Sequence, residues 1–264
     1  MVKAKLNVVI FCGGIGARLK EETEFKPKPM VKIGNRPIIW HIMKTYAHYG
    51  HTDFILCLGY KGEQIKEYFY NYELMSGDFT LKLGDRNNLN FNSHIPERGW
   101  NITLADTGDD ALKGARLKRV EKYVAGDTFM VTYGDGVANI DINDLLDFHK
   151  SHGKLATVTG VNPLSRFGEL SVDGQQVMSF SEKPAASGNW INGGFFVFNR
   201  AIFDCLEDRD DCDLEYTCLE QIAAEGQLMV YKNDKFWACM DTIRDMEYLN
   251  KLWVENRAEW KVWE

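Results

Sequence analysis

The stretch VIFCGGIGARLKEETEFKPKPM, residues 9–30, decides the fold of this chain and the chemistry that it can support. Its apolar start predicts a β-strand over Asn7–Phe11, which breaks at the glycines Gly13, Gly14 and Gly16. A strand that ends in glycines leaves backbone N–H groups free to face an anion, and glycine lets a phosphate approach the backbone closely. The pattern therefore predicts a phosphate-binding loop after the first strand.

Two basic residues lie in the same loop. Arg18 presents a planar guanidinium that suits phosphate oxygens. Lys28 stands between Pro27 and Pro29, each of which fixes the backbone φ angle, so its ammonium is offered from a stiff segment. We interpret Arg18 and Lys28 as the candidate catalytic residues of a protein that handles phosphate groups. A plain structural turn is the alternative for the glycines alone.

Two better-known phosphate loops are excluded. The dinucleotide-binding pattern GxGxxG, started at Gly14, would need a glycine at position 19, which is Leu19. The P-loop pattern GxxxxGK[ST] is also absent, because Gly153-Lys154 is followed by Leu155. A nicotinamide-dependent oxidoreductase is therefore a weaker alternative, which fits only the early alternation of strands and helices.

Composition and charge narrow the class of protein. The chain has 264 residues, of which 45% are hydrophobic and 26% charged, as is ordinary for a globular protein. The net charge of −7 argues against nucleic acid as a partner. No apolar run approaches ~18 residues and no signal-peptide segment opens the sequence, so we expect a cytoplasmic protein without membrane association. None of the six cysteines forms C-x-x-C, and we expect reduced core thiols.

Strands and helices alternate through the first part of the chain. The strands Asn7–Phe11, Asp53–Leu58 and Thr128–Thr132 are predicted from buried-type apolar runs, and Pro37 opens a helix that runs to about His48. This rhythm predicts an α/β fold with a mostly parallel, doubly wound sheet and helices on both faces.

The pattern changes in the second part, where strands follow one another with almost no helix between them until a last amphipathic helix between Asp241 and Trp260. We find no linker or repeat, and so expect a single domain over residues 1–264 with a smaller, β-rich second half. The tail carries three tryptophans, Trp253, Trp260 and Trp263, which we expect to pack back onto the body; a subunit contact is the alternative.

Two aspartates are candidate Mg²⁺ ligands. Asp135, in Tyr133-Gly134-Asp135-Gly136, follows a predicted strand, and the carboxyl ends of parallel strands are where α/β proteins bind ligands. Asp241 lies between a short predicted strand and the last helix. Carboxylate oxygens suit Mg²⁺, which takes few protein ligands. The alternatives are a turn aspartate for Asp135 and a helix N-cap for Asp241.

A sugar-phosphate pocket is the interpretation of two further segments. Glu182-Lys183 ends a predicted strand, and Asn192-Gly193 begins another. A carboxylate for sugar hydroxyls, a lysine for a phosphate and a glycine for close approach fit a hexose phosphate. Surface turns of the same composition are the alternative.

These motifs together resemble a known family. The pattern GGxGxR, followed by Pro27-Lys28-Pro29-Met30, resembles the signature of nucleotidyltransferases that join a nucleoside triphosphate to a sugar 1-phosphate. With Trp40-His41-Ile42-Met43 after it, the segment looks most like members that use CTP and glucose 1-phosphate. The resemblance implies a Rossmann-like mixed sheet of the nucleotide-diphospho-sugar transferase type, Mg²⁺ as cofactor, CTP and glucose 1-phosphate as partners, and a homo-oligomer, trimer or hexamer.

The resemblance also assigns roles to residues and halves of the chain. It implies that residues 1–153 mainly bind nucleotide and residues 154–264 mainly bind sugar phosphate. The implied metal ligands are Asp135 and Asp241. The implied nucleotide-binding residues are Phe11, Cys12, Gly13, Gly14, Gly16, Arg18, Lys28, Thr107, Gly108, Arg116 and Asp135. The implied substrate-binding residues are Tyr133, Gly134, Glu182, Lys183, Asn192, Gly193 and Trp237.

The chain departs from the family pattern at four places. Lys113-Gly114-Ala115-Arg116 stands where the family has TGGR. Cys12 stands for an alanine and Ala17 for a threonine of the glycine loop, and residues 213–218, DLEYTC, replace a segment that resembles WEREPL. Two kinds of alternative therefore stay open. The protein could be a related transferase that uses another nucleoside triphosphate or phosphorylated acceptor, or a non-catalytic module that binds sugar nucleotides.

Overall fold

The computed structural model describes residues 6–14, 16–84, 88–93, 95–162, 169–181 and 190–264. In these residues the strands are β1 (Asn7–Phe11), β2 (Lys32–Ile33), β3 (Arg36–Pro37), β4 (Asp53–Leu58), β5 (Phe79–Leu81), β6 (Leu89–Phe91), β7 (Asn101–Asp106), β8 (Thr128–Tyr133), β9 (Gly136–Ala138), β10 (Ala156–Val161), β11 (Glu169–Asp173), β12 (Gln176–Ser181), β13 (Ile191–Asn199), β14 (Leu228–Asn233) and β15 (Trp237–Cys239).

The α-helices of the described residues are mostly short. They are α1 (Lys20–Thr23), α2 (Ile38–His48), α3 (Gly62–Tyr70), α4 (Tyr72–Ser76), α5 (Lys113–Arg119), α6 (Ile142–His152), α7 (Glu220–Ala224) and α8 (Ile243–Val254). Single 3₁₀ turns form at Ala17–Leu19, Lys28–Met30, Glu121–Tyr123 and Arg200–Cys205, and a π-helical turn at Leu214–Leu219.

A seven-stranded mixed sheet, ordered β14-β10-β13-β8-β1-β4-β7, is the centre of the part of the chain that the structure describes. Strands β8, β1, β4 and β7 run parallel to one another, as β10 and β14 do. Strand β13 is antiparallel to both β8 and β10. The predicted doubly wound α/β sheet is confirmed, and the antiparallel β13 is what makes it mixed.

Alternation along the central strands divides the apolar side chains between two cores. In β1, Val8 and Ile10 belong to one core cluster, and Val9 and Phe11 to the other. Because successive side chains of a strand point to opposite faces, helices must cover both faces of the sheet. This layering leaves the ends of the strands open for a site.

Helix boundaries follow local capping chemistry. Pro37 precedes α2, as predicted, because proline suits the first turn, where an N–H group has no partner in the helix. Asp141 caps α6 by accepting hydrogen bonds from the backbone N–H groups of Asn143 and Asp144. Helix α5 ends at Arg119, and a 3₁₀ turn at Glu121–Tyr123 follows it.

The aromatic tail packs onto the first long helix, as expected. The rings of Trp253 and Trp260 lie 4.7 and 6.3 Å from the imidazole of His41, which is fully buried. Trp260 Nε1–H donates to His41 Nδ1 (3.4 Å), and His41 Nε2 lies 3.0 Å from the carbonyl oxygen of Ile33. These partners place the ring proton on Nε2, and burial lowers the pKa of His41 to about 4. A neutral histidine thus joins the C-terminal segment to α2.

The cysteine expectation is partly wrong. Cys12, Cys57, Cys212 and Cys239 are free thiols. Cys205 and Cys218 instead form a disulfide, because the 3₁₀ turn and the π-helical turn that carry them pack together with the two Cα atoms 5.6 Å apart.

Two features lie outside the layered body. Strands β11 and β12 form a hairpin whose apolar side chains, Leu170, Val172, Val177, Met178 and Phe180, are exposed. Strands β5 and β6 form a second hairpin. Among the described residues, no helix combines the length and apolar character needed to cross a bilayer.

Candidate active site

A cavity of about 510 Å³ opens where β1 and β8 end. These strands are parallel neighbours, so the loops at their carboxyl ends meet at one edge of the sheet. The cavity is lined by Phe11, Cys12, Gly13, Gly14, Gly16, Lys28, Pro29, Ala111, Leu112, Lys113, Arg116, Thr132, Tyr133, Gly134, Asp135, Gly136, Asn192, Gly193, Gly194, Phe195, Asp213, Trp237, Cys239 and Asp241. Most of the sequence-predicted site residues therefore share one cavity.

Glycines allow the close backbone approaches that shape this cavity. A Cβ atom at Gly134 would overlap the carbonyl oxygen of Phe11, so the loop after β8 can pass the end of β1 only without a side chain. Gly16 has φ +65°, in the left-handed region that favours glycine. The loop after β1 can therefore turn back toward Lys28, whose side chain lies beside Gly16.

Lys28 is the charged centre of the cavity. It opens a 3₁₀ turn after Pro27, whose φ of −68° is the value that proline imposes. Its Nζ lies 2.6 Å from Asp135 Oδ2 and 2.5 Å from Asp241 Oδ1, and 13% of its side chain is exposed. One nitrogen contacts both oxygens, so the two carboxylates are close enough to share a single cation.

A small two-stranded sheet brings the two aspartates together. Strand β9 follows Asp135 directly, β15 precedes Asp241, and the two strands pair antiparallel. The backbone N–H of Met240 donates to the carbonyl oxygen of Asp135 at 2.8 Å. Residues that are far apart in the sequence are thus held in register by backbone hydrogen bonds.

Asp241 is not the cap of the last helix. Thr242 takes that position in α8 and forms a reciprocal capping box with Asp245. The carboxylate of Asp241 is left to face Lys28 and, at 3.7 Å, the exposed guanidinium of Arg18. The start of α8 therefore fixes the backbone position of Asp241, and the Asp241 carboxylate takes no part in capping the helix.

The pKa shifts of this cluster are set by burial and by its own charges. Burial alone would lower the pKa of Lys28, but the carboxylates of Asp135 and Asp241 outweigh it and raise the pKa. Burial alone would raise the pKa of Asp241, and the hydrogen bond and charge of Lys28 hold it below its usual value. Lys28 and Asp241 therefore keep their charges at neutral pH.

The donor set fits a magnesium ion. Asp135 and Asp241 offer hard carboxylate oxygens, and the Lys28 ammonium already lies between them as a cation. Among the described residues, no group of three or more His, Cys, Asp or Glu side chains is arranged for a metal. Two carboxylates suit Mg²⁺, which commonly completes its shell with water and substrate phosphates.

Arg116 holds the glycine-loop side of the cavity in place. Its guanidinium donates to the carbonyl oxygens of Gly13, Leu58 and Gly108, at 3.1, 3.1 and 2.7 Å, and to the hydroxyl of Thr107 at 2.9 Å. Three loops at the sheet edge are tied together in this way. Thr107 and Gly108 hold Arg116 and do not themselves line the cavity.

The opposite wall is built from the second half of the chain. Trp237 Nε1–H donates to the carbonyl oxygen of Gly193 at 2.8 Å, and Asn192 Nδ2–H donates to the Tyr133 hydroxyl at 2.9 Å. Of the substrate-binding predictions, Glu182 and Lys183 lie outside the described residues.

The cavity side chains that the sequence did not single out include Lys113, Asp213 and Cys239. Burial together with Asp241 and Asp135 raises the pKa of Cys239 to about 12, so it is a neutral thiol beside the acids. The departure at residues 213–218 was the available signal for Asp213. For Lys113 the available signal was its departure from the family pattern, which has a threonine at this position.

Comparison with known proteins indicates one family. The family model described as "Nucleotidyl transferase" matches residues 7–253. The glucose-1-phosphate cytidylyltransferase of Salmonella typhi is 50% identical over 260 residues, covering 98% of this chain and 100% of that protein, and that of Salmonella typhimurium matches to the same extent. The crystal structure of HddC from Yersinia pseudotuberculosis covers 94% of this chain and 99% of its own, with a TM-score of 0.66 and 21% identity. The last likeness shows the fold alone.

Proposed function

Because this chain belongs to the nucleotidyl transferase family, we propose that it transfers the cytidylyl group of CTP to α-D-glucose 1-phosphate, giving CDP-glucose and pyrophosphate. The choice of CTP and glucose 1-phosphate is supported by the names and 50% identity of its Salmonella relatives. The single observation that carries the chemistry is the contact of Lys28 with both Asp135 and Asp241.

The reaction needs no protein nucleophile. The phosphate of the sugar attacks the α-phosphorus in line while pyrophosphate leaves, and a phosphate monoester dianion already carries the charge for attack. Catalysis then consists of positioning and of neutralising the charge on the triphosphate. Lys28 and Arg18 supply positive charge at this point, and the backbone of Gly13, Gly14 and Gly16 admits the phosphates.

Asp135 and Asp241 would hold Mg²⁺, which supplies charge neutralisation to phosphate oxygens when it is bound. For this to happen the Lys28 ammonium must leave the pair, and the phosphates of the nucleotide are its natural new partners. The structure thus supports a division in which two acids hold the cation and the lysine holds the nucleotide.

The two halves of the chain line different parts of the cavity. Residues 1–153 supply the glycine loop and the Arg116 support, in keeping with a nucleotide side. Residues 154–264 supply Asn192, Gly193 and Trp237, in keeping with a sugar-phosphate side. We propose that the single domain 1–264 divides its two substrates in this manner.

A substrate panel tests the proposal. Purified protein is incubated with Mg²⁺ and each of CTP, UTP, dTTP, ATP and GTP against glucose, galactose and mannose 1-phosphate, and pyrophosphate release is measured. We expect the highest kcat/KM for CTP with glucose 1-phosphate. A preference for UTP or dTTP would replace the nucleotide, and binding of the ligands without any turnover would favour a non-catalytic module.

A homo-oligomer, trimer or hexamer, is part of the proposal. It is supported by the family resemblance and by the exposed apolar side chains on the β11–β12 hairpin, since such patches commonly mark protein contacts. Light scattering coupled to size-exclusion chromatography gives the mass directly, and a monomer at micromolar concentration would contradict it.

A further inference from the structure

A carboxylate at the cavity wall has no assigned role in the proposed reaction. Glu215 lies in the π-helical turn Leu214–Leu219, where the chain departs from the family pattern. The side chain of Asp213 accepts hydrogen bonds from the backbone N–H groups of Glu215 and Tyr216, at 2.8 and 3.0 Å, and fixes the start of this turn. The turn places Glu215 directly behind Tyr133 and Lys113, which line the cavity.

Glu215 is the final acceptor of a chain of hydrogen bonds. Its Oε1 accepts from the Tyr133 hydroxyl and is paired with the Lys113 ammonium. Tyr133 in turn accepts from Asn192 Nδ2 at 2.9 Å, and Asn192 Oδ1 accepts from the backbone N–H of Gly194 at 2.8 Å. A carboxylate oxygen accepts, so the Tyr133 hydroxyl donates its proton to Glu215, and the Tyr133 oxygen is left to accept from Asn192.

These bonds leave one hydrogen-bond acceptor and one donor available on the side that faces the cavity. The single proton of Tyr133 is committed to Glu215, so toward a ligand its oxygen can only accept a hydrogen bond. Asn192 Nδ2 uses one of its two hydrogens on Tyr133 and can donate the other. Burial and the charge of Glu215 raise the pKa of Tyr133, which keeps the phenol neutral.

Glu215 is also poorly explained as a group that only stabilises the fold. Its Oε2 is buried and has no hydrogen-bond partner among the described residues, which costs stability. Its partner Lys113 begins helix α5, where a positive charge opposes the helix dipole. The Lys113 ammonium also lies 4.7 Å from the centre of the Tyr133 ring. The unpaired Oε2 and the charge of Lys113 at the helix start are two unfavourable placements, and both belong to side chains that contact Tyr133 in the cavity wall.

We propose that Glu215 is a positioning residue for acceptor specificity, which acts through Tyr133 and Asn192 to present an acceptor and a donor to one hydroxyl of the sugar phosphate. This inference rests on the proposed function, since it concerns the acceptor of the same reaction. A sugar hydroxyl both donates and accepts, and an epimer that points this hydroxyl elsewhere leaves both protein groups without a partner.

The test compares epimeric acceptors. For Glu215→Gln we expect the KM for the preferred sugar 1-phosphate to rise at least about tenfold, and its kcat/KM preference over the epimer to fall by a similar factor, because glutamine can present either an oxygen or an N–H to Tyr133. The KM for the nucleotide should stay within about twofold. The exposed Glu220 of α7, changed to glutamine, is the matched control and should change neither value.

A double-variant cycle separates this role from a general loss of packing. If Glu215 acts through Tyr133, the effect of Glu215→Gln on the preference between epimers should largely disappear in a Tyr133→Phe background. Equal loss of preference in both backgrounds, an unchanged preference in Glu215→Gln, or an equal rise in both KM values would overturn the inference.

The substrate panel on the wild-type protein distinguishes a failure of the proposed function from a failure of the role proposed for Glu215. A wild-type preference for a different sugar 1-phosphate corrects the proposed substrate, and the cycle is then run on the preferred acceptor and its epimer. No turnover with any pair would overturn both the proposed function and the role of Glu215.

Discussion

Replacing Lys28 by methionine removes the charge between Asp135 and Asp241 and keeps most of the side-chain volume. Breaking a fully buried ion pair costs about 3–5 kcal/mol, and an exposed pair is worth about 0–1 kcal/mol. The two aspartates expose 28% and 32% of their side chains, so this site lies between these limits. We expect a loss of about 2 kcal/mol, or a melting temperature lower by about 4–8 °C for a chain of this size.

Magnesium should restore part of this loss. In the variant, the two carboxylates lose the cation between them and only the exposed Arg18 stays near Asp241, so a divalent ion can bind where the ammonium was. A ligand at a hundredfold excess over its Kd stabilises the native state by about 2.7 kcal/mol. In the wild type the ammonium already holds the place, and Mg²⁺ without nucleotide should shift the melting temperature much less.

The assay is scanning calorimetry of both proteins with and without Mg²⁺, in the absence of nucleotide. The matched control is Lys26→Met in the same loop, since Lys26 pairs with Glu22 at 2.5 Å and does not touch the two aspartates. It should show neither the large loss nor the rescue. Equal Mg²⁺ shifts in wild type and Lys28→Met would refute the idea that lysine and metal compete for one place.

Three further predictions concern acid stability, the metal ligands and the glycines. His41 has a folded pKa of about 4, below the value of about 6.5 in the unfolded chain, so its contribution is complete above pH 6.5 and is lost as the pH falls toward 4. Urea unfolding should therefore show a loss of about 2 kcal/mol between pH 7.5 and 5 that His41→Gln lacks. Asp135→Asn and Asp241→Asn should each lower turnover about a hundredfold or more at saturating Mg²⁺ while circular dichroism stays unchanged; full activity in either would remove that residue from the metal site. Gly134→Ala should destabilise the protein by about 1–3 kcal/mol, because its Cβ overlaps the end of β1, whereas Gly14→Ala meets nothing within 4 Å and should affect nucleotide KM and not melting temperature.

Much of the glycine-loop side of the cavity could be predicted from the sequence. Buried-type apolar runs predicted β1, β4 and β8 within one residue, because strands covered on both faces must be apolar throughout. The glycine loop and the proline-flanked Lys28 carry local signals, and the family resemblance singled out the two aspartates that the structure brings together. These features depend on short-range backbone chemistry or on motifs that survive as contiguous stretches.

Long-range pairing is what the sequence could not supply. The meeting of Asp135 with Asp241 depends on β9 and β15, each only three residues long, too short for any periodic pattern. The antiparallel insertion of β13 and the contact of Glu215 with Lys113 likewise arise from tertiary packing. Reading Asp241 as a helix cap was the local alternative, and only the structure shows that Thr242 fulfils it.

The pairing of β9 with β15 also has a consequence for how such proteins diversify. Because this short ladder fastens both ends of the segment between residues 138 and 237, the loops of that segment can differ in length while the two aspartates keep their mutual geometry. We expect changes in those loops to alter the proposed sugar-phosphate side and to leave the spacing of Asp135 and Asp241 unchanged.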